Sequence, residues 1–286
     1  MPDIEIKTIC VCGAGTMGSG IAQLAAMAGF TTIQFDVQQA MLDKSRDHIN
    51  AALDKLVNKQ KITTEEKDSI AGRITYTTEI HHCRGNLIIE AIVENLDHKV
   101  ALFNALMLVN EPATIYASNT SSISVTAIAE KTAMPSRLAG MHFFNPAPIM
   151  QLVEIVQTTF INTQVTDTLL RLAKQMGKTP VLCKDAPGFI VNRVARHYYL
   201  EAMLLVEQGH TDMKTIDTIM EATGFKMGPF ALMDLIGLDI NYAVSNIVWE
   251  SLGKPKRLTP SALQKQKVDT GDLGKKTGKG FYSYRG

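Results

Sequence analysis

Net charge is what this chain lacks: 29 Lys and Arg against 28 Asp and Glu leave +1 over 286 residues. That excludes the electrostatic footprint by which chains hold nucleic acid or an anionic membrane surface. Long apolar runs are missing too, and none approaches the roughly 20 residues that span a bilayer. The start, "MPDIEIKTICVCGAG", opens with acid and enters a strand-like stretch directly. It has no basic segment followed by an apolar stretch and a small-residue cleavage site. No signal peptide is therefore expected, and the cytoplasm is the expected compartment. Cysteine is sparse: Cys10, Cys12, Cys83 and Cys183, with no C-x-x-C pair. Free thiols in a reducing compartment are expected, with Cys10 and Cys12 on one face of a strand. "HHC" (His81, His82, Cys83) presents ligand types, but three adjacent residues cannot converge on one ion without severe backbone distortion. No metal is expected there, and the three read as exposed loop residues.

What is present is ordinary in amount and ordered in pattern. The chain is 45% hydrophobic and 20% charged, as globular proteins are. At roughly 100–150 residues per domain, its length suits two. "IKTICVCGAGTMGSGIAQLAAMAGFTTIQFDV" reads strand, turn, helix, strand, the content of a βαβ unit. An amphipathic stretch from about Gln38 to Lys59 follows, with Leu42, Ile49, Leu53 and Leu56 at near-helical spacing. "TTEEKDSIAG" starts a helix, with Thr63 or Thr64 as cap. "NLIIEAIV", "TIYASNT", "RLAGMHFF", "LVEIVQ" and "TPVLCKD" read as further strands, with helices at "HKVALFNALMLVN" and near Gln164–Met176. Alternating strands and helices imply a largely parallel sheet covered on both faces. The character changes at "KDAPGF". Beyond it come helical stretches near Ile190–Gln208, Lys214–Thr223, Ala231–Leu252 and Pro260–Lys267. The expected architecture is α/β: a Rossmann-type, doubly wound domain over 1–184 and an all-helical domain over 185–286.

Gly13, Gly15 and Gly18, with Ala14, Thr16 and Met17 between them, spell G-x-G-x-x-G. The motif is weak alone, but here it follows a strand and opens a helix. Gly13 permits the tight turn, Gly15 lets a pyrophosphate approach, and Gly18 lets helix pack on strand. The helix N-terminus offers unpaired N–H groups to phosphate, so Thr16 and Met17 count with the cofactor-binding set. Asp36 stands at the end of the second strand, 18 residues after Gly18. A carboxylate there accepts from a ribose 2′-hydroxyl and repels a 2′-phosphate, favouring NAD over NADP.

"MHFFNPAPIMQLVEI" raises a second point. His142 and Glu154 lie equally far from Pro148, which sits in a turn between two apolar runs. If those runs pair as an antiparallel hairpin about that turn, the two side chains face each other, about 5 Å apart at Cβ. A carboxylate against one imidazole nitrogen fixes the tautomer, stabilises the imidazolium and leaves the other nitrogen to take a proton. A structural His–Glu pair is the alternative, and a nicotinamide site nearby favours the base, because alcohol oxidation needs one. "ASNTSSIS" puts Ser118, Asn119, Thr120, Ser121, Ser122 and Ser124 at a strand's carboxyl end, where open α/β sheets bind ligands. Ser122 or Ser124 could also cap the helix that follows.

Together "GAGTMGSGIAQ", "EAIVEN", "ASNTSS", "GMHFFNPAP", "LVEI", "DAPGFIVNR", "MGPF", "DLIGLD" and "GKKTGKGFY" resemble the L-3-hydroxyacyl-CoA dehydrogenases, in that family's order and across nearly the whole chain. The resemblance implies His142 as catalytic base with Glu154 as its partner. It implies Ser121 as a hydroxyl touching both the substrate oxygen and the nicotinamide region, and Asn192 as a substrate-binding amide. Glu94, Lys99, Asn145 and Lys276 match cofactor-contacting positions, and Lys59 one that holds coenzyme A. It further implies acyl-CoA as substrate, NAD as cofactor, and a homodimer formed through the helical domain. Three positions depart from the family's pattern: Ala231 stands where Glu is expected, Lys226 where Pro is expected, and Ala52 where some relatives carry Ser. These bear on acyl-pocket shape and thioester affinity.

The implied reaction is NAD-dependent oxidation of a short-chain (S)-3-hydroxyacyl-CoA to the 3-oxoacyl-CoA. Two rivals remain. A β-hydroxyacid dehydrogenase would use a lysine in the second domain's first helix, and "GFIVNRVARHYYLEAM" has none. A catalytically silent dinucleotide-binding protein would have lost its site residues, yet Ser121, His142, Glu154 and Asn192 are all present.

Overall fold

The computed structural model describes residues 5–284. The chain divides after Asp185 into two units. The first holds strands β1 (Thr8–Cys12), β2 (Thr31–Phe35), β3 (Ile74–Thr77), β4 (Leu87–Glu90), β5 (Ile115–Ser118), β6 (Leu138–Phe143), β7 (Leu152–Gln157) and β8 (Thr179–Lys184). Its helices are α1 (Thr16–Met27), α2 (Gln39–Asn58), α3 (Thr64–Gly72), α4 (Leu96–Val109), α5 (Val125–Glu130) and α6 (Thr163–Gln175). The strands form one sheet in the order β3-β2-β1-β4-β5-β6-β7-β8, parallel except for the antiparallel pair β6–β7. The order reverses between β1 and β4, and at such a switch point open α/β sheets hold ligands beyond the strands' carboxyl ends.

Most of the apolar runs that read as strands are buried, the edge strand β8 being largely exposed. β4, β5 and β6 have every residue buried, which is why they show continuous apolar sequence rather than alternation. The core gathers Ile9, Val11, Ile21, Leu87, Ile89, Ile155 and their neighbours from the sheet and its covering helices. α2 buries Leu42, Ser45, Ile49 and Leu53 along one stripe. Thr63, not Thr64, caps α3: its hydroxyl accepts from the Glu66 N–H, and the Glu66 carboxylate accepts from the Thr63 N–H at 2.8 Å. Ser124 rather than Ser122 caps α5, accepting from Ala127 N at 3.1 Å.

Strand β3 went unread in the sequence. "ITYT" is short, and it forms only because β2 offers it a parallel edge, with Thr32 opposite Ile74 and Phe35 opposite Thr77. Cys83 also departs from expectation. His81 and His82 are exposed, but Cys83 is fully buried beneath the turn.

The second unit is helical: α7 (Val191–Glu207), α8 (Met213–Ala222), α9 (Pro229–Ile236), α10 (Leu238–Ser251) and α11 (Ala262–Asp269). The single helical stretch expected over Ala231–Leu252 is two helices bent by 100°. Gly237, at φ +103°, forms the corner, a backbone conformation that glycine adopts at little cost. The core of this unit packs Tyr199, Met203, Phe230, Met233, Leu238 and Val248. Two buried carboxylates fasten the tail. Asp234 accepts the N–H groups of Phe281 and Tyr282, both at 2.9 Å, and the Tyr284 hydroxyl at 3.0 Å. Asp217 accepts the N–H groups of Phe230 and Ala231 and the Tyr282 hydroxyl, each at 2.9 Å. No single helix among the described residues is long and apolar enough to cross a membrane.

Candidate active site

The glycine turn lies between β1 and α1. Gly13 adopts φ +110°, and a Cβ there would stand 2.5 Å from the Ala91 carbonyl oxygen. A Cβ on Gly18 would stand 2.0 Å from the Gly13 carbonyl oxygen, so α1 could not approach β1 with any other residue. Gly15 differs: nothing lies within 4 Å of an added Cβ. It is the N-cap of α1 and supplies no side-chain acceptor to the helix. Open space against an uncapped helix N-terminus is what a pyrophosphate requires. Thr16 and Met17 form the first turn of that helix. Asp36 follows β2 directly and accepts from Ala14 N at 2.9 Å and Gln38 N at 3.0 Å, which fixes its carboxylate beside the turn. Gln34 steadies the turn from below, donating to the Gly13 carbonyl at 3.4 Å while accepting from Ser45 Oγ at 2.7 Å.

The hairpin register sets His142 opposite Glu154. His142 Nδ1 meets Glu154 Oε2 at 2.7 Å, and His142 Nε2 meets Ser121 Oγ at 3.0 Å. Both members of the pair are buried, at 3% and 1% exposure. A carboxylate at that distance holds the proton on Nδ1 and leaves Nε2 as the acceptor turned toward Ser121.

Ser121 is held by backbone as well as side chain. The Glu94 carboxylate accepts from Thr120 Oγ1 at 2.5 Å, from Ser121 N and Ser122 N at 3.2 Å, and from Ser122 Oγ at 2.9 Å. Asn119 adds a link to the hairpin, its Oδ1 accepting from Phe143 N at 2.9 Å. Burial would raise the Glu94 pKa, but the Lys99 charge and the bonds from Thr120 and Ser122 outweigh it, so the carboxyl stays ionised below its ordinary range.

Lys99 lies underneath, with its side chain 1% exposed, and its ammonium rests on Glu90 at 2.5 Å and Glu94 at 3.1 Å. Glu90 also accepts from Ile92 N at 2.8 Å and Ser118 Oγ at 2.6 Å. Lys99 therefore acts on the site through Glu94. Sequence reasoning missed Glu90, and it placed Ser118 in the polar cluster at the end of its strand without the bond to Glu90. The available signal was a carboxylate closing the buried run "LIIE", nine residues before a lysine.

The remaining candidates are dispersed. Asn145 is exposed in the hairpin turn, and Lys59 is exposed at the C-cap of α2. In the second unit Asn192 is the second residue of α7, and its carbonyl accepts from Arg196 Nε at 3.1 Å. Lys276 forms an ion pair with Asp239, its Nζ 2.6 and 2.7 Å from the two carboxylate oxygens.

Residues 8–186 match the family model of the 3-hydroxyacyl-CoA dehydrogenase NAD binding domain, and residues 188–284 match that of the C-terminal domain. The chain belongs to the 3-hydroxyacyl-CoA dehydrogenase family. NAD is accordingly the cofactor of its first unit, which agrees with the open Gly15 turn and the Asp36 carboxylate. Among this family's members, 3-hydroxyadipyl-CoA dehydrogenase of Escherichia coli is 43% identical over 99% of this chain, which spans 60% of that protein's length. The mitochondrial hydroxyacyl-coenzyme A dehydrogenase of Sus scrofa is 39% identical, over 99% of this chain and 92% of its own. The crystal structure of (S)-3-hydroxybutyryl-CoA dehydrogenase from Ralstonia eutropha superposes with a TM-score of 0.94 at 36% identity, covering 99% of this chain and all of that one.

Proposed function

We propose that the chain interconverts (S)-3-hydroxyacyl-CoA and 3-oxoacyl-CoA with NAD, acting on short acyl chains such as the 3-hydroxybutyryl group. The observation that carries this reading is the line Ser121–His142–Glu154, with bonds of 3.0 and 2.7 Å. NAD supplies the acceptor for the hydride that leaves C3. His142 Nε2 takes the C3 hydroxyl proton, and Glu154 stabilises the imidazolium through Nδ1. Ser121 Oγ hydrogen-bonds the reacting oxygen and holds it against Nε2. Gly13, Gly15, Gly18 and the first turn of α1 receive the pyrophosphate, and Asp36 receives the adenosine ribose. Glu94 holds the Ser121 loop, and Lys99 holds Glu94. Asn192 binds the substrate, Lys59 the coenzyme A moiety, and Asn145 and Lys276 the dinucleotide. The short-chain preference draws support from the similarity of this chain to the (S)-3-hydroxybutyryl-CoA dehydrogenase of Ralstonia eutropha. The second unit carries substrate binding and dimerisation, and the cytoplasm is the compartment.

The experiment is a double-mutant cycle on kcat/KM for acetoacetyl-CoA reduction. His142→Gln removes the proton acceptor and should lose roughly 10²–10⁴-fold. Glu154→Gln leaves the imidazole without its counter-charge and should also lose heavily. Because groups acting as one unit are strongly non-additive, the double variant should be little worse than His142→Gln alone. NADH binding should survive in all three. Fully multiplicative losses would show that Glu154 works apart from His142 and would sink the mechanism.

A further inference from the structure

None of the four cysteines takes part in that chemistry, and three of them meet in the fold. Cys10 and Cys12 point to one side of β1, with their sulfur atoms 4.0 Å apart. Cys83 follows a single turn of 3-10 helix, Ile80–His82, between β3 and β4. All three are fully buried, none is in a disulfide, and their sulfur atoms lie within 4.8 Å of one another. The backbone of Cys83 is fixed on two sides: its N–H donates to the Ile80 carbonyl at 3.0 Å, and its own carbonyl accepts from Asn110 Nδ2 at 2.8 Å. The turn before it is tied by a contact of 3.2 Å between Thr77 Oγ1 and His82 Nδ1.

These distances are those of a metal site awaiting little movement. An ion at about 2.3 Å from each of three sulfurs in a trigonal plane sets the sulfurs about 4.0 Å apart. Cys10 and Cys12 already have that separation. No His, Asp, Glu or fourth Cys joins the group among the described residues. Zinc in structural sites closes its shell with four ligands, whereas soft thiolate donors select Cu(I). We propose that Cys10, Cys12 and Cys83 form a three-thiolate binding site for a monovalent copper ion.

Binding exchanges protons for metal: each sulfur still protonated releases its proton to solvent as the Cu–S bond forms, with no change of oxidation state. The ion would bridge β1 to the segment entering β4, directly behind the phosphate-binding turn, since Cys12 immediately precedes Gly13 and its carbonyl accepts from Ala91 N at 2.7 Å. Entry requires local opening of the Ile80–His82 turn, whose own His81 and His82 are exposed, as is Arg84 just beyond Cys83.

The competing reading is that buried cysteines serve as small apolar side chains. The test uses the reduced full-length protein without oxygen, titrated with Cu(I) held by the chromophoric chelator bicinchoninate. The wild type should withdraw one ion per chain. Cys83→Ala should withdraw essentially none, and Cys183→Ala should still withdraw one. No withdrawal by the wild type, or equal withdrawal by Cys83→Ala, overturns the site. Should Cys83→Ala fail to fold, slow alkylation of the wild type by N-ethylmaleimide decides. Cu(I) should protect Cys10, Cys12 and Cys83 while leaving the rate at Cys183 unchanged. Protection at all four, or at none, overturns the proposal.

Discussion

Asp36 has a structural task that its bonds display and, in the proposed function, a selective one. It accepts two backbone N–H groups, from Ala14 and Gln38, and a carboxylate has further lone pairs to offer a ribose hydroxyl. In the proposed function, those two bonds fix the charge at the place a 2′-phosphate would need. Wild type should turn over NADH and barely use NADPH, and Asp36→Ala should narrow that gap chiefly by raising KM for NADH. Comparable kcat/KM for both cofactors in the wild type would remove this role for Asp36. The residue was legible in the sequence because its spacing from the glycines follows from the length of one helix and one strand. Lys99 was legible only as a matching position. Its burial against Glu90 and Glu94 depends on the distance between β4 and α4, which no local pattern encodes.

At the scale of the element, the loop after β5 is ordered by a charge from another segment. Glu94 collects donors from Thr120, Ser121 and Ser122 while paired with Lys99. Its folded pKa lies below the unfolded value of about 4.3. Its stabilising effect is therefore complete above that unfolded value and is lost as pH falls through the folded one. Glu94→Gln should be less stable than wild type in urea at pH 7, and the difference should shrink at pH values below about 4. A gap of constant size from pH 7 to pH 3 would show that the charge of Glu94 does not hold the loop. Two other elements show the limits of local pattern. β3 forms because β2 accepts it, and the α9–α10 corner forms at Gly237 within one continuous helical periodicity. Periodicity measures which face is buried, and it is blind to a change of axis at a single glycine.

For the whole molecule, the assignment of Asn192 to the substrate makes a separable prediction. Asn192→Ala should lose kcat/KM for acetoacetyl-CoA by ten-fold or more, on the order of one charge-assisted hydrogen bond, with NADH affinity nearly unchanged. A variant whose only defect is NADH affinity contradicts the assignment. The helical unit also exposes Val194, Ile219, Phe225 and Ile240, each more than half accessible. Apolar side chains of this size favour association where they join in one patch, and the proposed dimer would cover them. Sedimentation equilibrium should return a dimer, and Val194→Asp with Ile240→Asp should shift it toward monomer; a wild-type monomer at micromolar concentration rejects the dimer.

By itself the sequence determined the sheet class, the glycine turn, the position of Asp36 and the facing of His142 with Glu154. Each follows from interactions short in sequence: a strand–turn–helix unit, or a hairpin whose register is set by its turn. Only the tertiary structure decided that Lys99 would be buried under the site, that Ser118 would reach Glu90, that Asp217 and Asp234 would fasten the tail, and that Cys83 would meet Cys10 and Cys12. Those contacts join segments far apart in the chain. Parallel strand order and helix packing fix their distances, and neither is written in the spacing of neighbouring residues.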